Sequence, residues 1–271
     1  MGNRFSGKVA IITGSSRGIG KAIAVELASE GASVVLNGRN RERLELAQKE
    51  IEKHTKNVIS VCCDVSDVNE GKRLIDETVK TFGRLDILVN NAGVSMRGYF
   101  ADLTPEVFQS VFRTNIYGTV NPTIPAIPEL RKTNGSVIFI SSLAGIRGLP
   151  SLSAYCSSKM ALRAIAESIR IEEHKHKIHV GLIYVGMTEI EHQKETIGPD
   201  GSVVILKKRD KRKVLTTEFV AKKVLKNIRK RMFINTLTPV GKLNNFLQAR
   251  VPLLVEKIIL KNLHKFEERS Q

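Results

Sequence analysis

Short, continuously apolar runs alternate with longer amphipathic stretches through the first 190 residues. The apolar runs lie at residues 9–13, 33–36, 58–62, 85–89, 137–140 and 178–185. Because apolar and polar residues do not alternate within these runs, they are typical of strands in a parallel sheet covered by helices on both faces. Apolar residues at helical spacing occupy the intervening stretches 18–30, 41–54 and 70–82. The pattern predicts an α/β fold with a doubly wound parallel sheet and right-handed crossovers.

The pattern changes in the second half of the chain. Residues 188–213 are mostly polar and end in a basic run, so we expect a mobile loop beside a substrate site rather than a core element. Residues 216–231 predict a helix, and residues 239–266 hold two amphipathic stretches. We therefore expect one folded domain over residues 1–235 and a basic amphipathic helical extension over residues 236–271.

Positive charge is concentrated in that second half. The 271 residues carry a net charge of +16, of which residues 1–200 contribute +3 and residues 201–271 contribute +13. Such asymmetry favours an acidic partner for the C-terminal part, either anionic lipid, nucleic acid or an acidic protein. A solvated basic surface is the simpler alternative.

Composition excludes several classes of protein. The chain is 42% hydrophobic and 26% charged, which is ordinary globular usage. Three cysteines, two of them adjacent, cannot form a disulfide framework, so we expect a reducing, cytoplasmic compartment. No uncharged apolar run reaches the about 18 residues of a membrane-spanning helix.

A glycine-rich turn separates the first predicted strand from the first predicted helix. It reads Thr13-Gly14-Ser15-Ser16-Arg17-Gly18-Ile19-Gly20. Glycines allow the backbone to approach a pyrophosphate, and the following helix offers free N–H groups and the positive end of its dipole. In a βαβ context this turn predicts a dinucleotide site on a Rossmann fold, although a tight turn without ligand is the plainer reading.

The end of the second strand indicates which dinucleotide binds. Residues 36–40 contain no carboxylate that would hold a ribose 2′-hydroxyl or repel a 2′-phosphate. Arg39 lies there, and Arg17 lies in the neighbouring glycine turn. Since a guanidinium binds phosphate bidentately, we expect NADP(H) rather than NAD(H).

Tyr155 and Lys159 carry the candidate chemistry. Residues four apart share one face of a helix. A phenol has a pKa of about 10 and is a poor base near neutrality, but an adjacent ammonium favours the phenolate. The hydroxyl could then donate a proton to a carbonyl oxygen or accept one from an alcohol. Ser142, just after a predicted strand, could hydrogen-bond the same oxygen.

In these motifs the sequence resembles the short-chain dehydrogenase/reductase family over residues 5 to about 235. The glycine turn matches the family's TGxxxGxG, and the remaining matches are Asp64-Val65, Asn90-Asn91-Ala92-Gly93, Asn115, Ser142, and Tyr155 with Lys159. The resemblance implies that Asn115, Ser142, Tyr155 and Lys159 are catalytic. The resemblance also implies that Asn115 orders a water molecule next to Lys159 and that Lys159 holds the ribose of the nicotinamide. No metal is expected, since His174, His176 and His179 lie in a predicted polar loop without partner ligands.

The cofactor contacts follow from the turn, the second strand and the family resemblance. They are Gly14, Ser16, Arg17, Gly18, Ile19, Gly20, Arg39, Asn40, Asp64, Val65, Asn91, Ala92, Gly93, Tyr155, Lys159, Gly186 and Thr188.

Two segments depart from the family pattern. Val185 stands where the family usually has a proline, although Gly186 and Thr188 keep their places. Pro122, Pro125 and Pro128 fall in the long helix after Asn115, where proline removes hydrogen bonds. That helix commonly forms the family's dimer interface, so assembly by this route is less secure, although we still expect a homo-oligomer, either a dimer or a tetramer.

Substrate class and partners are less constrained. An apolar predicted cleft mouth favours a lipophilic carbonyl or alcohol substrate, although the same residues could be core; they are Val94, Met96, Tyr99, Phe100, Leu143, Ile146, Leu149 and Met187. The basic tail could cap the cleft, mediate assembly or contact an anionic membrane peripherally.

The sequence as a whole resembles the branch of this family that acts on steroids and lipids, which includes 11β-hydroxysteroid dehydrogenase-like members. A 3-oxoacyl-thioester reductase is the alternative enzyme. A non-catalytic nucleotide-sensing or nucleic-acid-binding protein on the same scaffold is the alternative of another class, but no nucleic-acid motif occurs and no nucleic-acid partner is expected.

Overall fold

A computed structural model describes residues 3–189, 195–206 and 214–264 of the chain. Its strands are β1 (Val9–Ile12), β2 (Ser33–Gly38), β3 (Val58–Cys62), β4 (Ile87–Asn90), β5 (Ser136–Ser142), β6 (His179–Val185), β7 (Glu195–Ile197), β8 (Val203–Ile205) and β9 (Ile234–Thr236). Its α-helices are α1 (Gly18–Ser29), α2 (Arg41–Ile51), α3 (Val68–Phe82), α4 (Pro105–Phe112), α5 (Gly118–Thr133), α6 (Ser153–Glu172), α7 (Thr217–Lys230), α8 (Pro239–Arg250) and α9 (Pro252–Lys261).

Local sequence signals explain where the helices begin and end, and α3 is a clear case. Asp67 precedes the helix, and its carboxylate accepts hydrogen bonds from the N–H groups of Asn69 and Glu70. Gly83 ends the helix in the left-handed region, with φ of 72°, where other residues are strained. The cap and the terminating glycine set the length of α3, and its apolar face then packs on the sheet.

Seven parallel strands form one sheet in the order β3-β2-β1-β4-β5-β6-β9. The chain adds strands in one direction from β1 to β3 and in the other from β4 onward, so the order reverses between β1 and β4. Helices cover both faces of the sheet and bury two apolar clusters. This arrangement confirms the predicted doubly wound, single-domain Rossmann fold, in which ligands bind at the reversal point beyond the carboxyl ends of the strands.

The three prolines do not interrupt α5, although each of them lacks a backbone hydrogen-bond donor. The helix runs from Gly118 to Thr133 with all three inside it. Its inner face packs closely on α3, because a Cβ at Gly71 would lie 2.9 Å from the Cβ of Asn121 and 3.1 Å from the nitrogen of Pro122. Tertiary packing therefore supplies the stability that the missing backbone hydrogen bonds do not.

Residues 188–213 are not simply a loop, which corrects an expectation from the sequence. The antiparallel strands β7 and β8 form a hairpin within them, while residues 190–194 and 207–213 lie outside the described residues. Ile197 exchanges backbone hydrogen bonds with Ser95 and Arg97, at 3.0 and 2.8 Å. The hydroxyls of Ser95 and Thr196 are 2.8 Å apart. The hairpin is thus tied to the segment that follows β4.

Two smaller features differ from the expectations. His179 is not in a polar loop: it begins β6 and is buried, with its ring nitrogens 3.2 Å from the Ser136 hydroxyl and 3.1 Å from the Met232 carbonyl oxygen. Burial lowers the pKa of His179 to about 4, so the ring is neutral near pH 7. The three-residue edge strand β9 was not predicted at all.

A buried carboxylate connects the start of β1 to the segment that precedes β4. The Asp86 side chain is 2% exposed and accepts hydrogen bonds from the Lys8 ammonium, the Arg84 guanidinium and the Val9 N–H. Burial alone would raise the pKa of Asp86, but these hydrogen bonds outweigh it and hold that pKa below its usual value.

We expect Asp86→Asn to lower the free energy of unfolding at pH 7 by about 1–3 kcal/mol, because the amide loses the charge-assisted bonds. Since the folded pKa is depressed, the contribution is present above the ordinary value of about 3.9 and is lost as pH falls through the folded pKa. Urea unfolding at pH 7 and at low pH measures both effects. The exposed Asp76→Asn variant is the control, and equal losses in the two variants would contradict the interpretation.

Candidate active site

The loop between β1 and α1 has the geometry of an anion cradle. Gly14 and Gly18 adopt left-handed φ values of 61° and 57°. A Cβ at Gly20 would collide with the Gly14 carbonyl oxygen and lie 2.5 Å from the Asn91 Nδ2. The N-cap residue of α1, Arg17, makes no side-chain capping bond, and the first turn contains no acidic residue. The residues present therefore fit the pyrophosphate of a dinucleotide.

Two polar side chains fix this loop against the strand beyond the reversal point. The Thr13 hydroxyl accepts hydrogen bonds from the N–H groups of Asn91 and Ala92, both at 3.0 Å. The Asn91 side-chain amide donates to the carbonyl oxygens of Thr13 and Gly14, at 2.9 and 3.0 Å. Asn91, predicted as a cofactor contact, thus holds the glycine loop itself. Thr13 was missed as a site residue, although its place between the strand and the first glycine was a signal.

The end of β2 borders the same cradle. A Cβ at Gly38 would lie 3.3 Å from the Ser16 hydroxyl, so the two segments touch there. The Arg39 side chain is 65% exposed, and its guanidinium lies 3.8 Å from the Asp64 carboxylate. Asn40, also predicted as a cofactor contact, caps α2 by accepting a hydrogen bond from the Arg43 N–H at 2.8 Å.

Asp64 follows β3 and faces this corner. Burial would raise its pKa, but hydrogen bonds from the Ser66 N–H and hydroxyl, with the charge of Arg39, lower the pKa below its usual value. The carboxylate is therefore ionised near neutrality. Val65 beside it is buried, and its carbonyl oxygen accepts a hydrogen bond from the Asn121 amide at 3.3 Å.

Helix α6 carries Tyr155 and Lys159, and it brings the Lys159 ammonium to the carboxyl end of β5. The Lys159 residue is 6% exposed, and its ammonium donates to the Ile140 carbonyl oxygen at 3.0 Å. The ammonium nitrogen lies 6.0 Å from the centre of the Tyr155 ring. The Ser141 hydroxyl donates to the Lys159 carbonyl oxygen at 3.1 Å, which ties the helix to the strand a second time.

Asn115 lies in a π-helical turn, Arg113–Tyr117, between α4 and α5. Its Oδ1 accepts a hydrogen bond from the Val94 N–H, and its Nδ2 donates to the Val94 carbonyl oxygen and to the Ser158 hydroxyl. The Ser158 hydroxyl in turn donates to the Tyr155 carbonyl oxygen at 2.8 Å. Ser158, which was not predicted, therefore connects Asn115 to the helix of Tyr155 and Lys159. The π-helical turn is of a kind that is frequent at functional sites.

The remaining predicted residues lie at the ends of β5 and β6. Ser142 ends β5, and its hydroxyl accepts a hydrogen bond from the Ala144 N–H at 3.2 Å. Gly186 follows β6, and the Thr188 hydroxyl donates to its carbonyl oxygen at 3.2 Å. Met96, predicted at the cleft mouth, is instead completely buried in a small core with Val107.

Gly93 lies between the glycine loop and the side chains of Asn115 and Lys159. A Cβ at this position would lie 3.1 Å from the Asn115 Oδ1 and 3.3 Å from the Lys159 ammonium nitrogen. Gly93 also follows Ala92, whose N–H is bonded to Thr13. The glycine loop, the Asn115 turn and Lys159 therefore converge at the carboxyl edge of the sheet.

Comparison with known proteins agrees with this geometry. The family model described as short chain dehydrogenase matches residues 8–199. The chain is 38% identical over 221 residues to 11-beta-hydroxysteroid dehydrogenase-like 4A of Arabidopsis thaliana, covering 80% of this chain and 71% of that protein. It is 39% identical over 180 residues to 3-ketodihydrosphingosine reductase of Bos taurus, covering 64% of this chain and 54% of that protein.

A solved structure supports the same comparison. The crystal structure of a short chain dehydrogenase from Mycobacterium paratuberculosis bound to NAD matches with a TM-score of 0.75 at 27% identity, covering 86% of this chain and 97% of that chain.

We expect Gly20→Ala to weaken the binding of a nicotinamide dinucleotide by about tenfold or more, because the added methyl group displaces the Gly14 carbonyl or the Asn91 amide. Fluorescence titration with reduced cofactor measures the effect. Gly148→Ala is the matched control, since a Cβ there meets nothing within 4 Å. Unchanged affinity in Gly20→Ala would show that the loop is not the binding cradle.

Proposed function

Because the chain belongs to the short-chain dehydrogenase family, we propose that it transfers hydride between NADP(H) and a lipophilic carbonyl compound or secondary alcohol. Family membership supports an oxidoreductase that acts on CH–OH groups with a nicotinamide cofactor. The 2′-phosphate of the cofactor, the roles of the individual residues and the substrate class are the parts that we propose.

The observation that carries the proposal is the position of the Lys159 ammonium. It is buried beside the Tyr155 ring, one helical turn away, and it borders Gly93 at the end of the cofactor cradle. A buried ammonium lowers the free energy of an adjacent phenolate, because the attraction between opposite charges is strong where water is excluded. Tyr155 is therefore the group that we assign to proton transfer.

The proposed reaction divides the work between cofactor and protein. The nicotinamide supplies or accepts the hydride at the reacting carbon. In the reducing direction the Tyr155 hydroxyl donates its proton to the carbonyl oxygen, and Lys159 stabilises the phenolate that remains. The Ser142 hydroxyl donates a hydrogen bond to the same oxygen and orients it. In the oxidising direction the phenolate accepts the proton of the alcohol.

Asn115, Gly186 and Thr188 have supporting roles in this proposal. The side-chain amide of Asn115 bonds to Val94 and Ser158, which supports a role in holding the catalytic helix as well as the predicted role in ordering water. Gly186 and Thr188, at the end of β6, are assigned to the carboxamide of the nicotinamide.

The preference for NADP(H) rests on Arg39. Its guanidinium is largely exposed and lies 3.8 Å from Asp64, outside hydrogen-bond distance. A 2′-phosphate offers two or three oxygens to a guanidinium and carries more charge than a carboxylate, so Arg39 binds the phosphate in preference. Arg17 in the glycine loop adds a second positive charge.

A lipophilic substrate is supported by the cleft mouth and by the relatives. Phe100 is 70% exposed and Met187 is 44% exposed, which supports contact of these side chains with an apolar molecule. A steroid dehydrogenase-like protein and a 3-ketodihydrosphingosine reductase are among the similar proteins. We therefore propose a steroid- or lipid-like ketone over a 3-oxoacyl thioester.

We also propose a homo-oligomer. Because α5 is uninterrupted, the helix that commonly forms the dimer interface in the family is present in this chain. Ile124 on α5 is 68% exposed and Tyr117, the residue just before α5, is 57% exposed, which supports contact with a second copy.

We expect Tyr155→Phe to lower kcat for ketone reduction on the order of a thousandfold or more, with NADPH affinity nearly unchanged, because only the proton donor is lost. The assay is NADPH oxidation over steroids, aliphatic ketones, quinones and 3-oxoacyl thioesters. Tyr117→Phe, which removes an exposed phenol, is the control. Wild-type protein that binds NADPH but reduces nothing on this panel would favour the nucleotide-sensing alternative.

We expect Arg39→Ala to weaken NADPH binding by about tenfold and to leave NADH binding within about twofold, because only the 2′-phosphate contact is lost. Parallel calorimetric titrations of both cofactors measure the ratio. Arg43→Ala, at an exposed position on α2, is the control. A wild-type protein that binds NADH as tightly as NADPH contradicts the assignment.

A further inference from the structure

Helices α8 and α9 expose an unusual amount of apolar surface. In the described part of the chain, eight large apolar side chains on or between these helices are between 41% and 76% exposed: Val240, Leu243, Phe246, Val251, Leu253, Leu254, Ile258 and Leu260. Only Gly241 and Val255 are buried there. Isolated exposed apolar residues are ordinary, but a continuous patch of this kind marks an interaction surface.

Basic residues are interleaved with this apolar surface. At 100° per residue, Val240, Leu243 and Phe246 occupy one side of α8, and Arg250 lies on the same side with its guanidinium 5.4 Å from the centre of the Phe246 ring. On α9, the same geometry sets Lys257 and Lys261 between Leu253, Leu254 and Ile258. Long basic side chains whose stems lie along apolar residues suit a boundary between hydrocarbon and charged headgroups.

The charge of this surface is not neutralised from within. The acidic residue in the two helices, Glu256, has a side chain that is 54% exposed, and its carboxylate already pairs with the Arg147 guanidinium at 3.0 Å. Lys242, Arg250, Lys257 and Lys261 remain as cations, and residues 201–271 carry +13 of the net charge of +16. The surface is therefore complementary to a partner that is apolar and anionic together.

The same helices are fixed at the rim of the candidate active site. Gly241 packs on Leu143, since a Cβ at Gly241 would lie 2.5 Å from the Leu143 Cδ2. Arg147, five residues after Ser142, donates to the Gln248 side-chain oxygen and the Pro252 carbonyl oxygen, both at 2.8 Å. These contacts place α8 and α9 beside the loop that follows Ser142.

We infer that α8 and α9 seat this protein on the surface of an anionic phospholipid bilayer. With 12 and 10 residues, the helices are about 18 and 15 Å long, far short of the about 30 Å hydrocarbon core, so they lie in the interface. If the proposed function holds, the bilayer is also the source of the substrate. A lipophilic ketone dissolved in it then reaches the cleft beside Ser142 without crossing water.

The test is flotation of the full chain with vesicles of phosphatidylcholine and phosphatidylglycerol in equal parts, and with vesicles of phosphatidylcholine alone. We expect binding to the mixed vesicles at low salt, and strong weakening at about 1 M NaCl, where the screening length is about 3 Å. The double variant Leu253→Ser/Leu254→Ser is expected to bind about tenfold or more weakly. The variant Lys257→Glu/Lys261→Glu is expected to lose about fivefold or more for each lysine.

A matched control keeps the test specific. Leu46→Ser/Val68→Ser removes two apolar side chains that are 67% and 68% exposed elsewhere on the surface, and binding should not change. No flotation of the wild type at low salt overturns the inference. Flotation that Leu253→Ser/Leu254→Ser does not reduce also overturns it, because another basic segment then binds. A wild-type oligomer that this variant dissociates, without flotation, assigns the surface to a second copy and overturns it as well.

Activity separates this inference from the proposed function. Reduction of a short, water-soluble ketone should be equal in wild type and Leu253→Ser/Leu254→Ser, while kcat/KM for a long-chain ketone presented in mixed vesicles should fall about tenfold or more in the variant. Flotation without reduction of any ketone would refute the proposed function alone. Reduction of the soluble ketone without flotation would refute the membrane inference alone.

Discussion

A buried ammonium at the carboxyl edge of the sheet is the constraint on which the candidate site depends. Removing a lysine charge from water costs several kcal/mol unless polar groups replace the water. The carbonyl oxygen of Ile140 is one such group, 3.0 Å from the Lys159 nitrogen. This hydrogen bond fixes the position of α6 along β5. Because Tyr155 lies one turn earlier on the same helix, the bond also fixes the position of its backbone. A side chain at Gly93 would crowd both this ammonium and the Asn115 side chain, since its Cβ would lie 3.3 and 3.1 Å from them.

Polar side chains inside the protein prepare the cofactor cradle before any ligand binds. Thr13 and Asn91 connect the loop after β1 to the segment after β4, across the point where the strand order reverses. The amide of Asn37, at the end of β2, is buried and bonds to the carbonyl oxygens of Val61 and Cys63. Because these bonds already order the loop, binding a dinucleotide costs less conformational entropy.

The substrate side is built differently, from segments far apart in the chain. The hairpin of β7 and β8 is bonded to the segment after β4, and α8 and α9 are bonded to Arg147. No helix of the described residues is long and apolar enough to cross a bilayer. The groups to which we assign the reaction thus lie on the sheet and α6, while the surfaces that we propose to select and deliver a substrate come from peripheral elements.

The sequence alone determined those features that depend on neighbouring residues in the chain. Apolar runs predicted the strands β1 to β6, because a doubly covered strand must be apolar on both faces. The glycines at positions 14, 18 and 20 predicted the turn between β1 and α1, and the spacing of Tyr155 and Lys159 predicted their common helix face.

The tertiary structure decided the rest, because those features depend on partners distant in sequence. Three prolines weaken the backbone hydrogen bonding of α5, and the close packing of this helix on Gly71 of α3 is visible only in the folded chain. β9 is a strand because it pairs with β6, since three residues have no stable extended state of their own. The sequence identifies Asn91, Asn40 and His179 as polar residues, but it does not give their hydrogen-bond partners. Those partners, and therefore the structural roles of the three side chains, depend on which atoms the folded chain brings within about 3 Å of them.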